Sequence, residues 1–160
     1  MKAIRGVTVV FLLCSFALAQ SDAQKALEKF KSLAGTWEGK TAKGAPVEDL
    51  YTLTAGGTTV MQENKMAAED MLSLFYVNGN ELMMTHFCPS GNQPRMKATI
   101  SPDLKTISFD FLDATNLPNP QAGHMGRAIY VFSDPDHYTE EWTWMENGKS
   151  ATFHFEMHRR

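Results

Sequence analysis

Hydrophobicity switches at every second residue along the C-terminal half of this chain, and that period leaves few folds open. Around 137–145, Tyr138, Glu140, Trp142 and Trp144 share one side while Thr139, Glu141 and Thr143 share the other. Around 150–158, Phe153, Phe155 and Met157 oppose Thr152, His154, Glu156 and His158. Around 105–113, Ile107, Phe109 and Phe111 oppose Ser108 and Asp110. Successive side chains of an extended strand point to opposite faces, so a period of two marks a strand with one buried face. The aromatic side is expected to face inward.

Ten such segments are read, at roughly 36–42, 47–55, 58–65, 70–77, 81–88, 95–101, 105–113, 127–133, 137–145 and 150–158. Hairpin chemistry punctuates them: Gly56-Gly57, Asn78-Gly79-Asn80, Ser101-Pro102-Asp103, Asp134-Pro135-Asp136 and Asn147-Gly148. Glycine and asparagine accept positive φ at small cost, and proline presets a turn. Short connections join neighbours antiparallel, and ten strands remove their exposed edges by closing. The expected fold class is therefore all-β, a closed up-and-down antiparallel barrel of about ten strands. One short helix precedes it, at 21–33. Ala23, Ala26, Leu27, Phe30 and Leu33 repeat at helical spacing, Ser21 and Gln24 suit a capping box, and Gly35 is expected to end it.

In an up-and-down barrel alternate connections share an end. Those after strands two, four, six and eight are tight. Those after strands five and seven, Pro89 to Pro94 and Ala114 to Gly126, are the longest. The helix is expected to plug the tight end, and a functional opening to lie at the other.

Lys2 and Arg5 precede the apolar run Val7–Leu13, which continues to Ala17-Leu18-Ala19. A basic start, a short apolar stretch and an A-x-A ending predict a secretory signal peptide over residues 1–19, cleaved to leave 20–160 as one domain in the periplasm or outside the cell. The run is too short for a stable membrane anchor. Cys14 lies within it, so the exported chain keeps the single thiol of Cys88 and no internal disulfide. A formal charge of −3 argues against a nucleic-acid groove.

The stretch Leu33-Ala34-Gly35-Thr36-Trp37-Glu38-Gly39, a helix running into Gly-x-Trp and a strand, is similar to the opening of calycins, the lipocalin and fatty-acid-binding-protein superfamily. More closely, the chain over about 21–158 resembles a family of exported bacterial proteins called domain-of-unknown-function 1579. The stretches that carry this are Gly91–Met96, Asp113–Leu117, Gly123-His124-Met125 and Glu140–Trp144. That resemblance implies the barrel and brings no activity with it. Ten strands also resemble the nitrobindins, haem-holding barrels whose iron ligand is a histidine near the C-terminus. On this chain the resemblance points to His154 and His158, both of which alternate to the outer side.

Strand phase places the carboxyl of Glu140 among Tyr138, Trp142 and Trp144. A buried carboxylate must be paired or protonated, so Glu140 is either a ligand anchor with a raised pKa or a structural acid bonded to Arg95, Arg127 or a tyrosine. Topology is expected to gather Glu63, His86, Cys88, Asp113, His124 and Arg127 near one opening, with Asn92, Gln93, Arg95 and Asn116 from the adjoining loops. Tyr51, Phe109, Phe111, Tyr138, Trp142, Trp144, Phe153 and Phe155 would make the wall, with the loop from Asp113 to Arg127 as a lid. The expected partner is a small hydrophobic or amphipathic molecule, bound without a cofactor. His86, Cys88 and His124 are legitimate zinc ligands, but no second cysteine supports a structural site. Two rival readings stand beside it: an enzyme using Glu140 or His86 as general acid or base, and an interaction protein whose interior is filled by its own side chains.

Overall fold

The structure, a computed structural model, describes residues 20–66 and 69–160. The expected signal peptide at 1–19 lies outside the described residues. Helix α1 (Asp22–Lys31) precedes ten strands: β1 (Gly35–Thr41), β2 (Pro46–Thr54), β3 (Thr59–Met66), β4 (Glu69–Asn78), β5 (Glu81–Phe87), β6 (Gln93–Ile100), β7 (Thr106–Thr115), β8 (His124–Asp134), β9 (His137–Glu146) and β10 (Lys149–Arg159). Each pairs with its sequence neighbours, and β10 returns to pair with β1, closing an antiparallel up-and-down barrel. At the β9–β10 hairpin Asn147 and Gly148 both take positive φ, 50° and 72°, as its two-residue turn requires.

Helix α1 begins at the expected capping box, with the Ser21 and Gln24 side chains each accepting from the other's backbone N–H. It ends earlier than expected. Ser32, not Gly35, is the C-cap, and Gly35 uses its φ of +118° to enter β1. Arg159, near the end of β10, finishes the helix: its guanidinium donates to the carbonyls of Ser32 and Ala34 at 2.9 and 3.1 Å and lies 4.3 Å over the Trp37 ring. The Trp37 indole in turn donates to the Leu33 carbonyl at 2.6 Å. One arginine thus satisfies carbonyls that a helix end leaves open and ties α1 to the barrel's closing strands.

The apolar face of α1 (Ala23, Ala26, Leu27, Phe30) sits in the core and touches β2 through β6. The Phe30 ring stacks on Phe75 at 4.1 Å and meets Tyr130 and Phe132 edge-on at 5.1 and 5.6 Å. Phe75 and Phe132 lie near the ends of β4 and β8, so the helix closes the tight-turn end, as expected. Among the described residues no helix is long and apolar enough to cross a membrane.

Candidate functional site

Side chains fill the barrel in layers rising from α1. Above Phe30, Phe75 and Phe109 comes a polar layer built from β2, β3 and β9, with Tyr130 added from β8. β2 alternates Val47, Asp49 and Tyr51 inward; β3 does the same with Val60, Gln62 and Asn64; β9 contributes Tyr138, Glu140 and Trp142. Asp49 and Glu140 are both sealed from water, at 0% and 1% exposure. Expectation placed one acid inside; the structure places two.

A single amide joins them. Nε2 of Gln62 donates to Asp49 at 2.9 Å and to Glu140 at 3.2 Å, while Oε1 of Gln62 accepts from the Tyr130 hydroxyl at 2.9 Å. Asp49 also accepts from Nδ2 of Asn64 at 2.5 Å and from the Tyr138 hydroxyl at 2.6 Å, which itself accepts from Tyr51 at 3.1 Å. Glu140 accepts additionally only from the Trp142 indole, at 3.0 Å, and its Oε1 has no partner. Two carboxyls so close in a dry interior cannot both be charged. Burial raises both. Hydrogen bonding with Glu140, then with Tyr138, Gln62 and Asn64, draws Asp49 back towards its charged form, whereas burial and the neighbouring charge of Asp49 push Glu140 well above the ordinary carboxylate range. Of the two, Glu140 is the one that holds a proton more strongly, and Asp49 the one whose charged form is better supported. Neither Arg95 nor Arg127 takes part: Arg95 pairs with Asp113, and Arg127 with Asp110 at 3.5 Å, on the outer face.

Above this layer the interior opens into a cavity of about 430 Å³ at the long-loop end. Its wall carries Trp142, Trp144, Phe153 and Phe155, three methionines (Met66, Met71 and Met125), and Asn64, Ser73, His86 and Cys88, with Glu69, Pro89 and Ser90 at the rim. His86 is buried against Trp142, ring centres 4.6 Å apart, and its Nδ1 meets the Ser73 hydroxyl at 3.0 Å while Nε2 is unpartnered. Burial lowers its pKa to about 4, so it is neutral at physiological pH. Asn64 and Trp142 belong to both levels, each facing the cavity while its N–H group holds a carboxyl below.

The expected rim cluster is divided by this geometry. His86, Cys88 and Trp142 line the cavity, and Tyr138 and Glu140 lie beneath it. Glu63 faces outward, because the inward phase of β3 belongs to Val60, Gln62 and Asn64. Arg95, Asp113 and Arg127 are outside, in the ion pairs already named. Asn92, Gln93 and Asn116 knit the two long loops together: Asn92 donates to the Gly123 carbonyl at 2.8 Å, Asn116 to that of Gly91 at 2.7 Å, and Gln93 accepts from Thr115 at 2.6 Å. His124 turns away from the cavity towards an outer groove, its ring 4.6 Å from Phe111. A bulge between Met125 and Arg127 reverses its phase, and β7 and β8 pair only from Asp110–Arg127 to Thr106–Val131, leaving a seam that Phe111 and His124 fill. Phe111 is therefore not in the cavity wall. Tyr51, Phe109 and Tyr138 are packed below the cavity rather than around it. The loop between β7 and β8 lies along that outer groove and contributes no residue to the cavity wall until Met125.

Among the described residues no three His, Cys, Asp or Glu side chains converge as a metal site would need. His154 and His158 are exposed on the outer face of β10, so an axial ligand of nitrobindin type cannot come from that strand. A haem does not fit the residues in that arrangement.

Asp49, Gln62 and Asn64 were not expected at the site. The signal for them is the one that places Glu140: Asp49 stands in phase between Val47 and Tyr51, and Gln62 and Asn64 in phase with Val60.

No protein-family model matches the chain, and no curated protein does. Solved structures do. The crystal structure of Rv2717c from M. tuberculosis superposes with a TM-score of 0.60 at 18% identity, covering 84% of this chain and 97% of that one. A protein of unknown function from the DUF3598 family of Nostoc punctiforme superposes at 0.54 with 10% identity, over 82% of this chain and 48% of that one. Both likenesses concern the fold.

Proposed function

We propose that this protein is an exported, calycin-like barrel of the domain-of-unknown-function 1579 type that holds a small, partly apolar ligand in the upper half of its interior. One observation carries the reading: a cavity of about 430 Å³, walled by aromatic and thioether side chains and open at one end. Pockets of roughly 300–1,000 Å³ with apolar walls and few polar groups are the usual form of a small-molecule site. Methionine suits it, because a flexible, polarisable thioether adapts to varied apolar shapes. The lower half is solid, so the ligand would enter between the rim residues and rest on Asn64 and Trp142. The basic start, apolar run and A-x-A ending of residues 1–19 support export.

Passive holding fits better than acid–base catalysis on Glu140, whose carboxyl lies beneath the cavity floor. Native mass spectrometry of protein purified from its own host, before and after organic extraction, tests the reading. A mass excess that extraction removes, together with a melting temperature that falls on extraction, is the expected result. An apoprotein mass throughout, with no thermal shift across a panel of apolar compounds, would overturn it.

A further inference from the structure

Resting on that reading, we propose that the cavity selects an apolar amine, an alkyl chain bearing a positive nitrogen, over the fatty acid of the same length. Among the described residues no lysine or arginine lines the cavity. Lys65, between the wall residues Asn64 and Met66, is exposed on the outward phase of β3 that Glu63 shares, and Arg95, Lys97 and Arg127 are paired outside with Asp113, Glu81 and Asp110. A carboxylate entering this space would lose its water without meeting a cation.

The groups present favour the opposite sign. Asp49 below the floor gathers three donors and has no cation of its own. It also fixes the amide above it: because Nδ2 of Asn64 is committed to Asp49, the Asn64 side chain, 9% exposed and part of the cavity wall, is left with an unpartnered carbonyl oxygen. That oxygen calls for a donor. The Trp142 N–H is likewise engaged with Glu140. Trp142, Trp144, Phe153 and Phe155 offer π surface, which attracts a cation, and Glu69 places a carboxylate at the rim. His86, neutral above about pH 4, contributes no positive charge to offset these.

Decylamine, decanol and decanoate share one alkyl chain and differ in head-group charge, so their binding at neutral pH, by calorimetry and by quenching of the wall tryptophans, isolates the effect. Decylamine is expected to bind at least about tenfold tighter than decanoate, with decanol between them; a tenfold ratio corresponds to about 1.4 kcal/mol. Glu69→Gln, at an exposed rim position, should weaken decylamine several-fold and leave decanol unchanged. Decanoate binding as tightly as decylamine would overturn the charge preference alone. Failure of all three to bind would overturn the ligand-binding reading with it.

Discussion

A buried carboxyl and a buried imidazole pull the stability of this interior in opposite directions as pH changes. His86 has its pKa lowered from 6.5 to about 4 by burial. Below pH 6.5 the unfolded chain therefore takes up a proton that the native one refuses, and stability falls as pH drops towards 4, by up to about 3 kcal/mol. Glu140 acts in the other direction. Its native pKa is raised by burial and by Asp49, so once pH rises above the ordinary carboxylate value of 4.5 the unfolded chain releases a proton that the native one retains. That contribution is present in acid and is lost as pH rises. Glu140→Gln should gain stability relative to the parent as pH climbs from about 5 to about 8, read as a widening difference in urea midpoints. His86→Gln should flatten the acid limb over the interval between pH 6.5 and about 4. Asp49→Leu is of another kind. It strands the donors of Gln62, Asn64 and Tyr138 in a dry layer, and a loss of about 3 kcal/mol or more is expected by the same denaturation measurement.

At the scale of elements, closure depends on one close approach. Gly39 of β1 lies opposite Met157 of β10, and a Cβ there would strike the Glu156 carbonyl and the Met157 sulfur. Gly39→Ala must push the two strands apart where the barrel seals, so it should cost about 2–3 kcal/mol. It should also accelerate amide exchange selectively along β1 and β10; uniform exchange across the sheet would contradict this. The strands themselves are legible from sequence, because alternation such as that of Tyr138, Glu140 and Trp142 depends only on the pleat. Helix α1 is legible because Ser21 and Gln24 carry its cap locally. His124 is not, since a bulge adds one residue to one strand and inverts every side chain beyond it, and Phe111 is not, since it keeps its phase but lies past Asp110–Arg127, where β7 and β8 cease to pair. Nothing in Met125-Gly126-Arg127 announces that inversion without its partner Thr143 in view. Glu63 misleads differently: its charge draws notice, while the phase set by Val60 assigns the inner face to Gln62 and Asn64.

The whole molecule divides its labour along the barrel axis. At the tight-turn end α1 packs to solid density around Phe30, and at the long-loop end the interior is left open. Sites at opposite ends that share no neighbours should respond independently. Phe30→Ala removes a ring stacked on Phe75 and edge-on to Tyr130 and Phe132, which should cost about 3–5 kcal/mol and lower the melting temperature. The molecules still folded should bind the cavity ligand with unchanged affinity. Trp144→Ala reverses the pattern. The ring lies partly exposed at the wall and contacts Gly123 of the long loop, so its loss should cost stability no more than about 1–2 kcal/mol. Decylamine affinity, however, should fall about tenfold or more as aromatic surface is removed from the wall. Measuring melting and binding on both variants gives a crossed outcome if stability and recognition reside at opposite ends. Should Phe30→Ala weaken binding as much as Trp144→Ala does, the plug and the cavity form one cooperative unit and the axial division is wrong.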